Sequence, residues 1–268
     1  MVVVRLSTGS VGSPRSCPQD REIVHALKNF IRSLEPDTGS GAIPFGIGPI
    51  DDALGGGLAR AALHEIAASG ESAIPAATQF ALGLASRAPE RNPVVWIAED
   101  MGLLENGTPY GPGLDALGLA PERLVTVAAA KPRDVLWAME EALRCRAVGA
   151  VIGEIRNARL DPVASRRLSL AAGHQETCAF LLRTLPATDA SAAATRWIVA
   201  GARSRTNAAG PGSPRLSVHL MRNRRGPLGS WTLELNRVER RFDLASPLSE
   251  PLAHAARDRP HRAAALGA

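Results

Sequence analysis

LHEIAASGESAIPAATQFALGLA, residues 63–85, decides the fold. An apolar strand candidate, Leu63 to Ile66, enters a small-residue loop, and the loop enters an apolar-periodic helix. A nucleotide-binding phosphate loop has this outline. In such a loop glycines turn backbone N–H groups toward phosphate, a lysine reaches the β- and γ-phosphates, and a Ser/Thr hydroxyl holds magnesium. Here Ala68 stands where the first glycine belongs, and Ser69, Gly70 and Ser72 form the loop. Ala73, Ile74 and Pro75 take the Gly-Lys-Ser/Thr places. Ile74 carries no charge. Pro75 has neither hydroxyl nor N–H, although proline suits a first helical turn. The outline survives without the chemistry, so the expectation is no bound cofactor. Only weak anion binding at the helix start would persist, through the dipole and the free N–H groups.

Outward from this segment the chain alternates strands and helices. Strands are predicted at 62–67, 93–98, 124–128, 148–153 and 178–184, and helices near 75–88, 112–118, 132–146 and 161–173. Such alternation predicts an α/β fold, a mainly parallel sheet flanked by helices. Beyond residue 195 the texture becomes apolar–polar alternation. "RRGPLG" between two such runs predicts an antiparallel C-terminal hairpin, and "RTNAAGPGSPR" a flexible loop. The predicted organisation has five parts: a disordered N-terminus (1–17), an amphipathic helix (18–35), a linker (36–44), the core (45–244) and a disordered tail (245–268). Ile23, Leu27, Ile31 and Leu34 form the apolar face of the 18–35 helix and are its candidate partner surface.

Bulk properties agree with a globular chain. Of 268 residues 45% are hydrophobic, 21% charged and only 4% aromatic, so aliphatic packing must dominate. The formal charge is +5, compatible with an acidic partner such as DNA. Lys28 and Lys131 are the only lysines, and arginine-rich, alanine-rich composition also raises the pI without any nucleic-acid role. Cys17, Cys145 and Cys178 have no metal-ligand spacing, so no metal is expected. The apolar start is too short for a signal peptide, and no window approaches the ~20 apolar residues of a membrane span. A cytoplasmic protein without membrane contact is expected.

What surrounds the loop resembles the RecA-like recombinases. "FGIGPIDDALGGGLARAALHEI" is similar to their entry segment, "PVVWIAED" to the strand whose following glutamate activates water, and "GAVIGEI" to the magnesium-binding strand. Glu99 falls on the first of those places and Glu154 on the second, where the family carries aspartate. The resemblance spans roughly residues 43–243. Without the lysine, Glu99 and Glu154 read as vestigial. A narrower resemblance, to the ImuA family, rests on "GGGLARAALHE", "GPGLDALGL", "DVLWAMEEALRC", "SRRLSLAA" and "AAATRWIVA". ImuA proteins are RecA-like and also similar to the division inhibitor SulA. The resemblance implies a non-catalytic accessory role in SOS-inducible, error-prone translesion synthesis. It implies assembly with an ImuB-type inactive Y-family polymerase homologue, indirectly with an error-prone DNA polymerase III α subunit, and with RecA as a further partner. Two alternatives stand beside it: an ATP-dependent DNA-binding protein with an unusual loop, and a SulA-like division inhibitor.

The candidate DNA-binding residues are Arg203, Arg205, Arg222, Arg224 and Arg225, with Arg215 in the same run. A solvated basic hairpin explains them equally well. His64-Glu65 opens like a zinc-protease motif, but Ala68 occupies the second histidine's place, so His64 reads as a hydrogen-bonded core or rim residue. Glu140 and Arg144 form an i,i+4 pair on the helix of Trp137, itself either core or a partner contact.

Overall fold

The computed structural model describes residues 2–6, 41–156, 159–186, 188–204, 206–207 and 210–247. A ten-stranded sheet organises them. Its strands are β1 (Val2–Leu6), β4 (Leu63–Ala68), β5 (Val94–Glu99), β6 (Leu124–Ala129), β7 (Ala150–Ile155), β8 (Cys178–Arg183), β9 (Thr195–Ala202), β12 (Arg215–Asn223), β13 (Gly229–Asn236) and β14 (Arg241–Leu244). Their spatial order is β1-β6-β5-β7-β8-β4-β9-β12-β13-β14. The first seven run parallel, and β12 to β14 continue antiparallel as the C-terminal hairpin. Two small pairs lie outside it: β2 (Ala42–Ile43) with β3 (Leu58–Ala59), and β10 (Thr206–Asn207) with β11 (Gly210–Pro211). This is the fold predicted, a mainly parallel sheet with flanking helices and an antiparallel end.

Helices cover both faces of the sheet centre. Accordingly β4, β7 and β8 are buried at every position, as parallel strands between two helical layers must be. Alternate residues feed two cores. Ile66, Trp96, Ile152, Phe180 and Leu182 face α1 (Gly48–Ala53) and α2 (Ile74–Ala85). Leu63, Ile97, Val151, Ile155 and Leu181 face the layer of α5 (Pro132–Leu143) and α6 (Pro162–Gln175). Between β5 and β6 lie α3 (Asp100–Asn106) and α4 (Gly111–Ala116). The aromatics concentrate on the α2 side: Trp197 sits 5.5 Å from Phe80 and 5.9 Å from Phe45, ring centre to ring centre. Gly83 of α2 lets β14 dock, because a Cβ there would lie 2.4 Å from the Phe242 ring.

Several expected boundaries move. Val2–Leu6, placed by the sequence within a disordered N-terminus, pairs in parallel with β6, Val2 opposite Val125 and Leu6 opposite Ala129. Without it β6 would end the sheet as a bare parallel edge. The core starts earlier than 45, since Ala42 and Ile43 pair with Ala59 and Leu58 and Ile43 is buried. The loop 205–215 carries the short β10–β11 pair rather than none. Beyond β14, Ala245 donates its N–H to Thr232 and Ser246 accepts from Arg215, so 245 and 246 belong to the fold. The 18–35 helix with Ile23, Leu27, Ile31 and Leu34 lies outside the described residues, as do 248–268. No described helix is long and apolar enough to cross a membrane.

Glu140 and Arg144 pair as expected, at 2.5 Å. Glu140 is buried and also clasps Arg167, tying α5 to α6. Trp137 is not core: 46% of its surface is exposed.

Candidate functional site

The carboxyl edge of a parallel sheet, where its strand order reverses, is where such folds bind ligands. β4 ends there. Ala68 is wholly buried, and Ser69–Gly70 lead into a 3₁₀ turn, Glu71–Ala73, that runs straight into α2. A phosphate cradle needs backbone N–H groups aimed into open space. Here Ser69 N–H donates to Val199 O at 2.9 Å, Ala73 N–H to Gly70 O at 2.9 Å and Ile74 N–H to Glu71 O. Pro75 has none to offer. Three of the turn's N–H groups are therefore spent on protein carbonyls, one of them on β9. Ser72 and Pro75 are exposed, Gly70 and Ile74 half-buried.

Beside the turn lies a cleft of about 750 Å³ between α2 and the α3–α4 segment. Ile74, Pro75, Leu82, Leu114 and Leu117 contribute apolar wall, Trp96 and Glu154 line it from the sheet, and Tyr110 stands exposed at its margin. Strand pairing explains why those two meet. β5 and β7 are adjacent with Trp96 opposite Ile152 and Ala98 opposite Glu154, so both side chains point to the α2 face. Glu154 is 7% exposed. Burial pushes its carboxyl up to about 7, partly offset by Arg156 and reinforced by Glu99. Glu99, at the end of β5, accepts the Arg156 backbone N–H at 2.6 Å, and the Arg156 guanidinium pairs with Glu105 of α3. The two sequence-selected carboxylates do come together, but Glu99 is occupied in bracing β7. Among the described residues no group of three or more His, Cys, Asp or Glu is arranged to hold a metal ion.

The Glu154 environment has a thermodynamic consequence. A carboxyl with an unfolded value of 4.5 and a folded value of about 7 stabilises the fold fully below 4.5, and the contribution is lost as pH rises through 7. Glu154→Gln removes the buried charge. It should raise unfolding free energy at pH 8 by on the order of 3 kcal/mol, change little at pH 4.5, and flatten the slope between. Urea titrations of both proteins at the two pH values measure this, and an unchanged slope would contradict it.

The opposite, amino edge of the sheet is a closed structural network. His64, wholly buried, has Nε2 2.8 Å from Ala59 O and Nδ1 2.7 Å from Thr195 Oγ1. A carbonyl only accepts, so Nε2 carries the proton. Trp197 Nε1–H donates to the same Thr195 oxygen, whose hydroxyl is thereby directed at His64 Nδ1. Burial lowers His64 to about 4, and it stays neutral. Glu65 is paired with Arg196 at 2.8 Å, and Arg196 also holds the Asp189 carbonyl.

The basic set is not one patch. β12 runs antiparallel to β9, so Arg215 lies at the carboxyl edge and Arg222 at the amino edge, about 23 Å apart at strand spacing. Arg215 is buried and doubly bonded to Glu234, at 2.8 and 2.6 Å. Arg222 donates to Ser191 O at 2.7 Å, pinning the β8–β9 connection rather than facing outward. Arg203 is exposed near the carboxyl edge, Arg224 and Arg225 are exposed at the hairpin tip, and Arg205 lies outside the described residues. Among the described arginines of this set, the tip pair and Arg203 are the exposed ones, at opposite edges of the sheet. Trp96, which lines the cleft, was not selected from sequence, because only the β5–β7 register brings it beside Glu154.

Comparison with known proteins adds a relative and a neighbour in fold. The chain is 33% identical over 211 residues to Protein ImuA of Caulobacter vibrioides, in both the NA1000/CB15N and the ATCC 19089/CB 15 strains. The match covers 72% of this chain and 82% of that protein. Among solved structures the RadB recombinase superposes with a TM-score of 0.55 at 13% identity, covering 76% of this chain and all of that one. At that identity the likeness concerns the fold. No protein-family model matches the chain.

Proposed function

The chain belongs to the ImuA family, and from that premise we propose that it is a non-catalytic accessory protein of damage-inducible mutagenesis. It presents binding surfaces to an ImuB-type Y-family polymerase homologue, and through it to an error-prone polymerase III α subunit, with RecA a further partner. The observation that carries the non-catalytic part is the composition of the turn: Ile74 and Pro75 replace the cation and hydroxyl, and the N–H groups of Ser69, Ala73 and Ile74 bond to protein carbonyls. Glu99, the place of a water-activating base, is held by the Arg156 backbone. Turnover of ATP at the uncatalysed rate, with and without DNA, is the expected result, and Glu99→Gln should leave it unchanged. DNA-stimulated hydrolysis lost in Glu99→Gln would favour the ATP-dependent alternative.

Direct DNA contact, on this reading, falls to Arg224 and Arg225 at the hairpin tip and to Arg203, not to Arg215 or Arg222. The 18–35 helix, through Leu27 and Ile31, remains the candidate partner surface. A pull-down of the ImuB-type partner with Leu27→Asp/Ile31→Asp tests it: loss of capture by a folded double variant supports the assignment.

A further inference from the structure

The cleft between α2 and the α3–α4 segment sits where a nucleotide would, yet its walls suit a different ligand. Ile74, Leu82, Leu114, Leu117 and Leu216 make it largely apolar, and its volume of about 750 Å³ is that of a small-molecule site. Among the described residues, two charged side chains line it, Glu154 and Arg215. Arg215 is already committed, to Glu234 at 2.8 and 2.6 Å and to the Ser246 carbonyl. Glu154 is 7% exposed, and among the described residues its carboxyl has no hydrogen-bond or ion-pair partner. Burial favours the neutral acid below pH 7, and Arg215 is balanced by Glu234, so the lining then carries no net charge. A carboxylic acid presents an O–H donor beside a C=O acceptor, and a buried pair of this kind gains from being matched. The complementary group is a carboxamide, which offers a C=O beside an N–H.

We propose that this cleft binds an uncharged small molecule, its apolar body between α2 and α4 and its carboxamide or lactam head paired with the Glu154 carboxyl. The proposal rests on the reading that the turn no longer holds triphosphate, and it names the ligand class that takes the vacated cleft. A carboxylate head finds no uncommitted cation in the lining and is repelled as Glu154 ionises. An ammonium head gains nothing from the neutral acid. The charges whose fields reach Glu154 are Arg156, beside it on β7, and Glu99 at the end of β5. Glu105 of α3 holds Arg156, Asp115 of α4 is exposed, and α2 has no charged side chain between Ile74 and Ala85. None of these supplies a second proton to the head, so the state of Glu154 decides binding.

The test is equilibrium dialysis of the full-length protein against three probes that share one ring body: naphthamide, naphthoate and naphthylmethylammonium. The amide is expected to bind saturably, one per chain, and about tenfold more weakly at pH 8 than at pH 6, because Glu154 is about nine-tenths acid at the lower pH and about one-tenth at the higher. Naphthoate should bind more weakly than the amide at both. Glu154→Gln keeps a donor beside an acceptor without the charge, so it should hold the pH 6 affinity for the amide at pH 8. Thr78→Trp, which fills the cleft from α2, should abolish binding. The pH series needs no variant, so it stands even where Thr78→Trp misfolds. No saturable binding of the amide, an affinity unchanged between pH 6 and pH 8, tighter binding of either charged probe at pH 6, or binding retained by a folded Thr78→Trp overturns the proposal while leaving the loss of triphosphate binding intact. Saturable binding of MgATP that displaces the amide overturns both.

Discussion

Replacing Trp197 with alanine is expected to lower unfolding free energy by about 4 kcal/mol, the upper range for an aromatic core truncation. The ring is fully buried at the centre of the α2-side core. It packs against Phe45, Phe80 and Trp231, and its N–H fixes the Thr195 hydroxyl that serves His64. Truncation opens a cavity among side chains from β2–α1, α2, β9 and β13, elements that cannot close on it together. It also frees the Thr195 oxygen to rotate away from a buried imidazole, adding the cost of an unmatched acceptor. Trp197→Phe keeps most of the volume and loses only the donor, and should cost about 1–2 kcal/mol. Urea midpoints give both values, and a loss below ~1 kcal/mol for the alanine variant would show that this cluster does not anchor the core.

Gly57→Ala should be nearly as damaging, at about 3–4 kcal/mol, although it adds one methyl group. Gly57 has φ +130°, a conformation L residues rarely adopt, and a Cβ there would lie 2.4 Å from the Ile43 carbonyl oxygen and 2.9 Å from Pro44 Cα. Those are backbone atoms of the paired β2 segment, so relief requires opening the β2–β3 pair. Gly56, with φ +103° and open space around it, is the control. Gly56→Ala pays only the left-handed penalty, about 1–2 kcal/mol. Equal midpoints for the two variants would show that steric contact with β2 is not what selects glycine at 57.

The parallel core was legible because its strands are short apolar runs separated by helical periodicity, and burial on both faces leaves that pattern strong. The phosphate-loop outline was legible for the same reason, and its missing lysine and hydroxyl are facts of sequence. Less visible were features that depend on register. VVVRL at 2–6 is too brief to signal a strand, and its partner is β6, more than a hundred residues on. The arginine run from 203 to 225 reads as one basic cluster until β12 is seen to carry it from one edge of the sheet to the other. Arg215 and Arg222 then turn inward to Glu234 and Ser191. Trp96 looks like any core aromatic until the β5–β7 pairing sets it beside Glu154.

The placement of β4 carries a cost during synthesis. Its two neighbours, β8 and β9, lie at residues 178–183 and 195–202, so about 110 residues separate the end of β4 from its first partner. At ribosomal elongation rates that interval is roughly 5–20 s. For that time a nascent strand that the fold buries at every position has no neighbouring strand to join, and only α2 can shield it. Holdase chaperones should therefore engage the emerging chain before residue 183 is made, and release it once the central strands can zip together.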